Sequence, residues 1–507
     1  MKKVAFWLII ATIVSKITGF GKDIILSYYY GASNISDVYL ISLTIPVGIF
    51  AFVGAAISTG YIPMYSKIEN EHGTYEANKY TNNLLNVIML ICTFIIFAGF
   101  LFTEPIVKAF ASGFEGSTLN QAIIFTRISL FNIYVMAMIY VFNGFLQLRG
   151  RYLIPVLILL PLNIFTIISI ILSSSFNILF LPFGTLFATV SQVLFLIPAL
   201  KRSDFKYEWE FKISDEYIKK MAWIAMPVII GASVNQINVL VDRTIASNLV
   251  IGGISALTYA NKLNQFIQGI FVISIATVLY PNISRLATEN KIIEYKKSIS
   301  EALLSVSILI IPTTIGAMIF SEEIVMLLFG RGAFDNQAVM LTATSLFFYS
   351  IGMVAFGYRE ILSRSYYALQ DTTTPMKNAI LGMILNIVLN IVLSRYLGIG
   401  GLALATSIAA TFTTILLFIS LRKKIGLFGM KQISISFLKI LFASLVMGGL
   451  AKLSFNYLTA SLSQNLSLIL AIGVGAVSYF VIIYFMKIED VDVIVGAIKK
   501  KLGRGAA

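Results

Sequence analysis

Two lysines and an aspartate, Lys16, Lys22 and Asp23, stand inside the apolar run from Ile13 to Ile25. A charge at membrane depth costs about 2.5–3.5 kcal/mol on insertion scales, so such residues rarely face lipid and usually line a path or a cavity. Two ammonium groups beside one carboxylate leave a basic surplus, which suits the holding of an anion. Asn235, Asn238 and Asp242 fall at i, i+3 and i+7, one face of a helix, and Asn261, Gln265 and Gln268 form another with Lys262 beside it. Asn386 and Asn390 lie one turn apart and turn two amides the same way, and amide oxygens are ligands that hard cations accept. The plain alternative for isolated Asn and Gln is interhelical hydrogen bonding within a membrane bundle.

The elements that must carry these residues follow from composition. The chain has 507 residues, 58% hydrophobic and 12% charged, with a mean hydropathy of +0.87, far too apolar for a soluble protein of this length. It reads as an all-α polytopic membrane protein. The first run continues past the length of a signal-peptide core and shows no small-residue cleavage site, so it is expected to remain as a span. One cysteine excludes an internal disulfide framework and a cysteine-based metal cluster. A membrane-embedded enzyme would need a general base or metal site. The single histidine, His72, sits in the polar stretch Glu69-Asn-Glu-His-Gly73, and the Asp490-x-Asp492 pair lies at the tail, so no enzyme is expected.

About fourteen spans start near residues 4, 37, 79, 119, 152, 177, 217, 253, 297, 337, 375, 399, 432 and 464. On that count about two dozen Lys and Arg fall in alternate connections and about three in the others, which places both termini in the cytoplasm. The net charge of +14 is thus topological and implies no nucleic-acid partner. Lys439 and Lys452, inside late spans, are expected to snorkel to an interface. The tail, with Glu489-Asp-Val-Asp492 before Lys499-Lys-Lys501, reads as a segment lying on anionic membrane lipid.

An internal repeat organises the chain. Asp23 with Ile35-Ser36 returns as Asp242 with Ile254-Ser255, and Gly48-Ile-Phe50 before Tyr61-Ile-Pro63 returns as Gly269-Ile-Phe271 before Leu279-Tyr-Pro281, at a shared offset of about 219. Ala188-Thr189 before Lys201-Arg202 parallels Ala405-Thr406 before Arg422-Lys423. An offset of six spans restores the same membrane side, which makes the halves parallel repeats. The expected division is an N-lobe of six spans over 1–208, a C-lobe of six over 209–428, and two further spans with a cytoplasmic tail over 429–507. The charged stretch 201–212 is the lobe linker, and the first and seventh spans are expected to meet at the pseudo-symmetry axis.

These stretches carry a family resemblance. Ser15-Lys-Ile-Thr-Gly-Phe-Gly-Lys-Asp23, Gly31-Ala32, Ser36-Asp37, Phe329-Gly-Arg-Gly-Ala-Phe334, Tyr367-Ala-Leu-Gln-Asp-Thr-Thr-Thr-Pro-Met-Lys377, Leu385-Asn-Ile-Val-Leu-Asn390 and Gly401-Leu-Ala-Leu-Ala-Thr-Ser407 resemble the MurJ (MviN) lipid II flippases of the MOP transporter superfamily. The resemblance covers roughly residues 10 to 425. It implies the MOP flippase fold and alternating-access movement of undecaprenyl-pyrophosphate-linked peptidoglycan precursor to the outer leaflet of a bacterial plasma membrane. Family site positions map onto Lys16, Lys22 and Lys262 as the basic residues and Asp23 and Asp37 as the acidic ones. The first two basics are typically arginine in the family, and lysine gives up the bidentate fork. Where the family carries an arginine pair and a glutamate, the second span here reads Pro46-Val-Gly-Ile-Phe-Ala-Phe-Val-Gly54, which keeps a Wzx-type flippase for another lipid-linked oligosaccharide as the alternative. A MATE-type exporter of cationic drugs would prefer carboxylates to this basic surplus.

The resemblance also implies a sodium site, mapped onto Asp242, Asn386, Asn390, Thr406 and the Leu402 carbonyl, with sodium as coupling ion and no other cofactor. The expected partners are the lipid-linked saccharide pyrophosphate substrate, membrane lipids and cell-wall synthases, with the monomer as the working unit.

Overall fold

The computed structural model describes residues 2–486, and the tail segments Glu489–Asp492 and Lys499–Lys501 lie outside the described residues. Every regular element among the described residues is an α-helix, and backbone proximity groups them into two units.

Unit 1 holds residues up to Ser255 together with Arg331–Ala338. Its helices are α1 (Lys2–Tyr30), α2 (Asn34–Leu101), α3 (Thr103–Phe110), α4 (Gly116–Leu130), α5 (Asn132–Leu148), α6 (Ile154–Leu157), α7 (Leu159–Ser175), α8 (Phe180–Lys201) and α9 (Glu216–Leu249). Gly31, at φ 60°, ends α1, and a Cβ there would strike the Ala333 carbonyl. Ser33 caps α2 by accepting the Ser36 N–H at 3.4 Å. The 68 residues of α2 exceed any one crossing, and the chain reverses at Gly73, φ 85° and ψ 170°, so α2 is two spans. The core between α2 and α5 is aromatic: Tyr61, Tyr65 and Phe145 are fully buried, and Gly144 gives Tyr61 its room.

Unit 2 holds Ala256–Gly330 and the described chain from Val339 to Met486. Its helices are α10 (Gly253–Thr288), α11 (Ile292–Ile319), α12 (Ser321–Phe329), α13 (Asn336–Ile351), α14 (Met353–Ala368), α15 (Thr373–Leu397), α16 (Ile399–Ile425), α17 (Met430–Leu458) and α18 (Gln464–Phe485). The succession of elements repeats, down to a short helix after the third span of each half, α3 and then α12. Thr126-Arg-Ile-Ser-Leu-Phe131 at the end of α4 and Thr342-Ala-Thr-Ser-Leu-Phe347 in α13 mark the matching fourth spans. Repeat and packing divide the chain differently, because α9, the first helix of the second repeat, packs on α2 and α3 within unit 1.

Ten described helices are long and apolar enough to cross a membrane, or twelve when the bent pairs Glu216–Met226 with Gly231–Leu249 (61°) and Asn336–Ile351 with Met353–Ala368 (47°) each count once. Counting α2 as two spans about Gly73, and adding the 29-residue α1, brings the tally to the expected fourteen.

The α15–α16 hairpin is clamped at both ends. Gly398, at φ 56°, turns the chain, and at Gly401 a Cβ would collide with the Leu393 carbonyl and approach the Ser394 nitrogen to 2.8 Å. At the other end Asp371, outside the helices, accepts the Thr374 N–H at 3.0 Å, the Thr374 hydroxyl at 2.8 Å and the Lys424 ammonium at 2.6 Å. Burial by itself pushes this carboxyl up, but the Lys424 and Thr374 donors outweigh it and hold the pKa down at about 2.

Two outcomes follow from this clamp. Gly401→Ala, which meets backbone that cannot turn aside, should cost about 1–3 kcal/mol and lower the melting temperature in detergent, while Gly473→Ala, with nothing within 4 Å of its Cβ, should not lower it. Because the folded-state pKa of Asp371 lies below the ordinary carboxylate value, its contacts stabilise the fold above about pH 4 and are lost as pH falls toward 2. A melting series should therefore show Asp371→Asn less stable than wild type at neutral pH, with the gap closing on acidification; a gap independent of pH would refute the assignment.

Candidate functional site

In unit 1 the cationic residues are presented by a helix pinned along one side. The Asn163 amide of α7 donates to the Ser15 carbonyl at 3.2 Å and to the Thr18 hydroxyl at 3.0 Å, and Gly19 lets the two helices approach. Near the far end of α1, the Tyr30 and Ser173 hydroxyls share a 2.7 Å hydrogen bond. This lock sets the rotation of α1, with Ser15 and Asp23 buried, Lys16 and Lys22 half-buried, and Ile13, Val14 and Ile17 exposed. Lys22 Nζ stands 4.0 Å from Asp23 Oδ1, the outer limit of an ion pair. Lys16 makes no hydrogen bond or ion pair among the described residues, so its ammonium is a charge in want of an anion. Asn163 is not singled out by the sequence reading; an asparagine within Leu160-Pro-Leu-Asn-Ile-Phe165 is the signal that could find it.

Asp37 is placed differently from the lysines. It is 2% exposed, and its two oxygens accept the N–H groups of Gly252 at 2.9 Å and Ser255 at 2.7 Å, the donors that open α10. Arg243 adds a hydrogen bond from Nη1 to the Ile254 carbonyl at 2.9 Å. A carboxylate at a helix N-terminus satisfies donors that have no partner within the helix and complements the dipole there. The geometry gives Asp37 the work of fixing where α10 begins.

In unit 2, Lys262 is exposed on α10 and makes no hydrogen bond or ion pair among the described residues. The α15–α16 pair brings together four of the residues expected to hold a cation. The Asn390 amide donates to Asn386 Oδ1 at 2.8 Å, the Asn386 amide reaches Thr406 Oγ1 at 3.3 Å, and the Thr406 hydroxyl donates to the Leu402 carbonyl at 3.0 Å. Both asparagines are buried, at 2% and 0% exposure. The donor chemistry fits a monovalent cation, because every candidate ligand atom is a hard oxygen and a half-turn of an amide exchanges its N–H for its carbonyl. Asp242 lies on α9, in unit 1.

Several other charges within spans are already answered. Arg364 Nε binds Glu360 Oε1 at 2.7 Å and stands over the Tyr280 ring, and Arg359 lies over Phe356. Lys452, expected from sequence to snorkel, pairs with Glu323 at 2.7 Å between Phe320 and Phe455. Arg127 donates to the Thr103 hydroxyl at 3.3 Å. The apolar stretch of the second span is packing surface on one side, where Phe50 is buried edge-on to Tyr140, Gly54 also faces Tyr140, and Gly48 lies against Gln236 and Phe110, while Val47 and Phe52 are exposed.

Comparison with known proteins agrees with the all-helical fold. The family model described as lipid II flippase MurJ matches residues 26–475. A probable lipid II flippase MurJ of Buchnera aphidicola subsp. Baizongia pistaciae (strain Bp) is 30% identical over 418 residues, 80% of each chain. A solved structure of a lipid II flippase MurJ in an inward closed conformation matches with a TM-score of 0.82 at 27% identity, covering 94% of this chain and 98% of that one. An inward-facing multidrug resistance MATE family transporter of the MOP superfamily matches with a TM-score of 0.71 at 15% identity, over 83% of this chain and 98% of that one, and shares the fold. The chain belongs to the MurJ lipid II flippase family.

Proposed function

We propose that this chain is a flippase that carries lipid II from the inner to the outer leaflet of the membrane for cell-wall synthesis, with the repeats 1–208 and 209–428 as its lobes. The observation that carries the reading, beside family membership, is the half-buried lysine pair of α1, with Lys16 lacking any counter-charge among the described residues. A lipid-linked diphosphate cannot enter hydrocarbon with its charges unpaired. Lys16 and Lys22 on α1 and Lys262 on α10 each give the diphosphate a counter-charge along its way, while the polyprenyl chain stays in lipid. An inside-negative potential favours outward movement of two negative charges by about 4–5 kcal/mol per 100 mV.

In the same reading, Asn386, Asn390, Thr406 and the Leu402 carbonyl are the residues that would hold a sodium ion, and the family set adds the carboxylate of Asp242. Sodium when bound would supply a compact positive charge and a free energy source from its gradient. Both termini are placed in the cytoplasm by the distribution of basic loops.

The chain is expected to sustain growth of bacteria depleted of their own lipid II flippase. Rescue of an O-antigen or capsule flippase mutant instead would favour the Wzx-type substrate. In that complementation assay Lys22→Ala and Lys262→Ala should each abolish flipping without preventing membrane insertion, and wild-type transport from both would remove the cationic path. Asp242→Asn should abolish sodium dependence of transport in proteoliposomes; unchanged dependence would sink the ion site.

A further inference from the structure

The stretch between α8 and α9 is not a slack connection. Phe205 plugs against Phe142 and Phe145, with ring centroids 5.6 and 5.1 Å away. Beyond it, three asparagines on the second half of α2 take hold of the main chain. Asn82 donates to the Lys206 carbonyl at 3.0 Å, and Asn86 to the Glu210 carbonyl at 2.7 Å. Asn83 grips Lys212 twice, donating to its carbonyl at 3.1 Å and accepting its N–H at 2.7 Å. The Tyr207 hydroxyl donates to Asn86 Oδ1 at 2.7 Å, and Lys79 meets Glu210 at 3.5 Å. Asp215 then caps α9 by accepting the Tyr217 and Ile218 N–H groups.

A main chain held this firmly presents its side chains in a fixed way. In Lys206-Tyr-Glu-Trp-Glu-Phe-Lys212 aromatic and charged residues alternate, and Trp209 is 76% exposed and Phe211 46%. Exposed aromatics of this size in water would be unfavourable, so their depth decides what covers them.

Two helices give that depth independently. The 22 residues of α8 are apolar up to Lys201 and about 33 Å long, close to the ~30 Å of the hydrocarbon core, so the linker begins at its edge. The first arm of α2, residues 34–72, is about 58 Å long and overshoots the core by roughly 28 Å. Asn86, thirteen residues back from Gly73, returns about 20 Å of that, to within one headgroup layer of the core. The sequence changes character at the same level, from the polar run ending at Asn83 to the apolar run beginning at Leu84. Tryptophan is enriched at this depth, with its ring at the headgroup boundary.

We propose that the linker 206–212 is an interfacial anchor: Asn82, Asn83 and Asn86 strap its main chain to α2 so that Trp209 and Phe211 insert into the headgroup layer of the leaflet on the basic-loop side. The anchor fixes the depth at which α8 ends and α9 begins. It rests on membrane topology alone and not on the identity of the substrate.

The test uses the full chain with Trp7→Phe and Trp223→Phe, which leaves Trp209 as the only tryptophan, in liposomes of phosphatidylethanolamine and phosphatidylglycerol. Nitroxide carried at the headgroup boundary should quench Trp209 several-fold more strongly than aqueous iodide added on the linker side. Adding Asn83→Ala and Asn86→Ala should reverse that order. Dominant iodide quenching before the asparagines are changed would overturn the anchor, showing a surface open to water or to a soluble partner. Lipid quenching that survives the loss of both asparagines would overturn the strap. Neither readout depends on lipid II transport, so failure here leaves the flippase reading standing.

Discussion

A polar group enters hydrocarbon at a high cost unless it finds a partner, and much of this structure follows from that constraint. It makes the backbone helical and sends the side chains that cannot be left bare toward one another. Asn163 is spent on the Ser15 carbonyl and the Thr18 hydroxyl of α1, Asp37 on the amides that open α10, Glu323 on Lys452, and Glu360 on Arg364. Once these are accounted for, Lys16 and Lys262 stand out as ammonium groups without a hydrogen bond or ion pair among the described residues. A charge that the fold leaves unanswered is the natural place for a charged substrate.

The same constraint explains why function and stability are hard to separate in the chain. The amides of Asn386 and Asn390 and the Thr406 hydroxyl are hydrogen-bonded to one another, so they hold α15 to α16. They also present the oxygens a cation would take. A polar network inside a bundle serves either purpose with the same atoms, and it can exchange one for the other by rotating an amide. The Gly401 contact and the Asp371 clamp hold the two helices close at either end of the hairpin.

Much of the fold was legible in sequence because a bilayer imposes a length. Apolar runs of about twenty residues count the spans, and the offset of about 219 shows the repeat. The long α2 and the bent α13–α14 pair still read as spans, since hydropathy ignores kinks. The division of contacts was less legible: α9 begins the second repeat yet packs with unit 1, and nothing in the order of spans says which neighbour a helix will choose. Of the candidate site, the lysines of α1 were visible as charges in the wrong solvent. The strap Asn82-Asn83-Asn86 was not, because asparagines at a membrane boundary look like any polar loop until the chain they hold is seen.

By itself the sequence determined the solvent the protein lives in, the number of its spans, its repeat and the types of charge it carries inward. These depend on composition and spacing along one chain, which transfer free energies read directly. Only the tertiary structure decided which of those charges are spoken for. Asp23 and Asp37 are the same residue type near the same end of the fold, yet one stands at the edge of an ion pair with Lys22 and the other is consumed by a helix start. The difference lies in hydrogen-bond partners more than two hundred residues away in the chain, and local sequence carries no record of them.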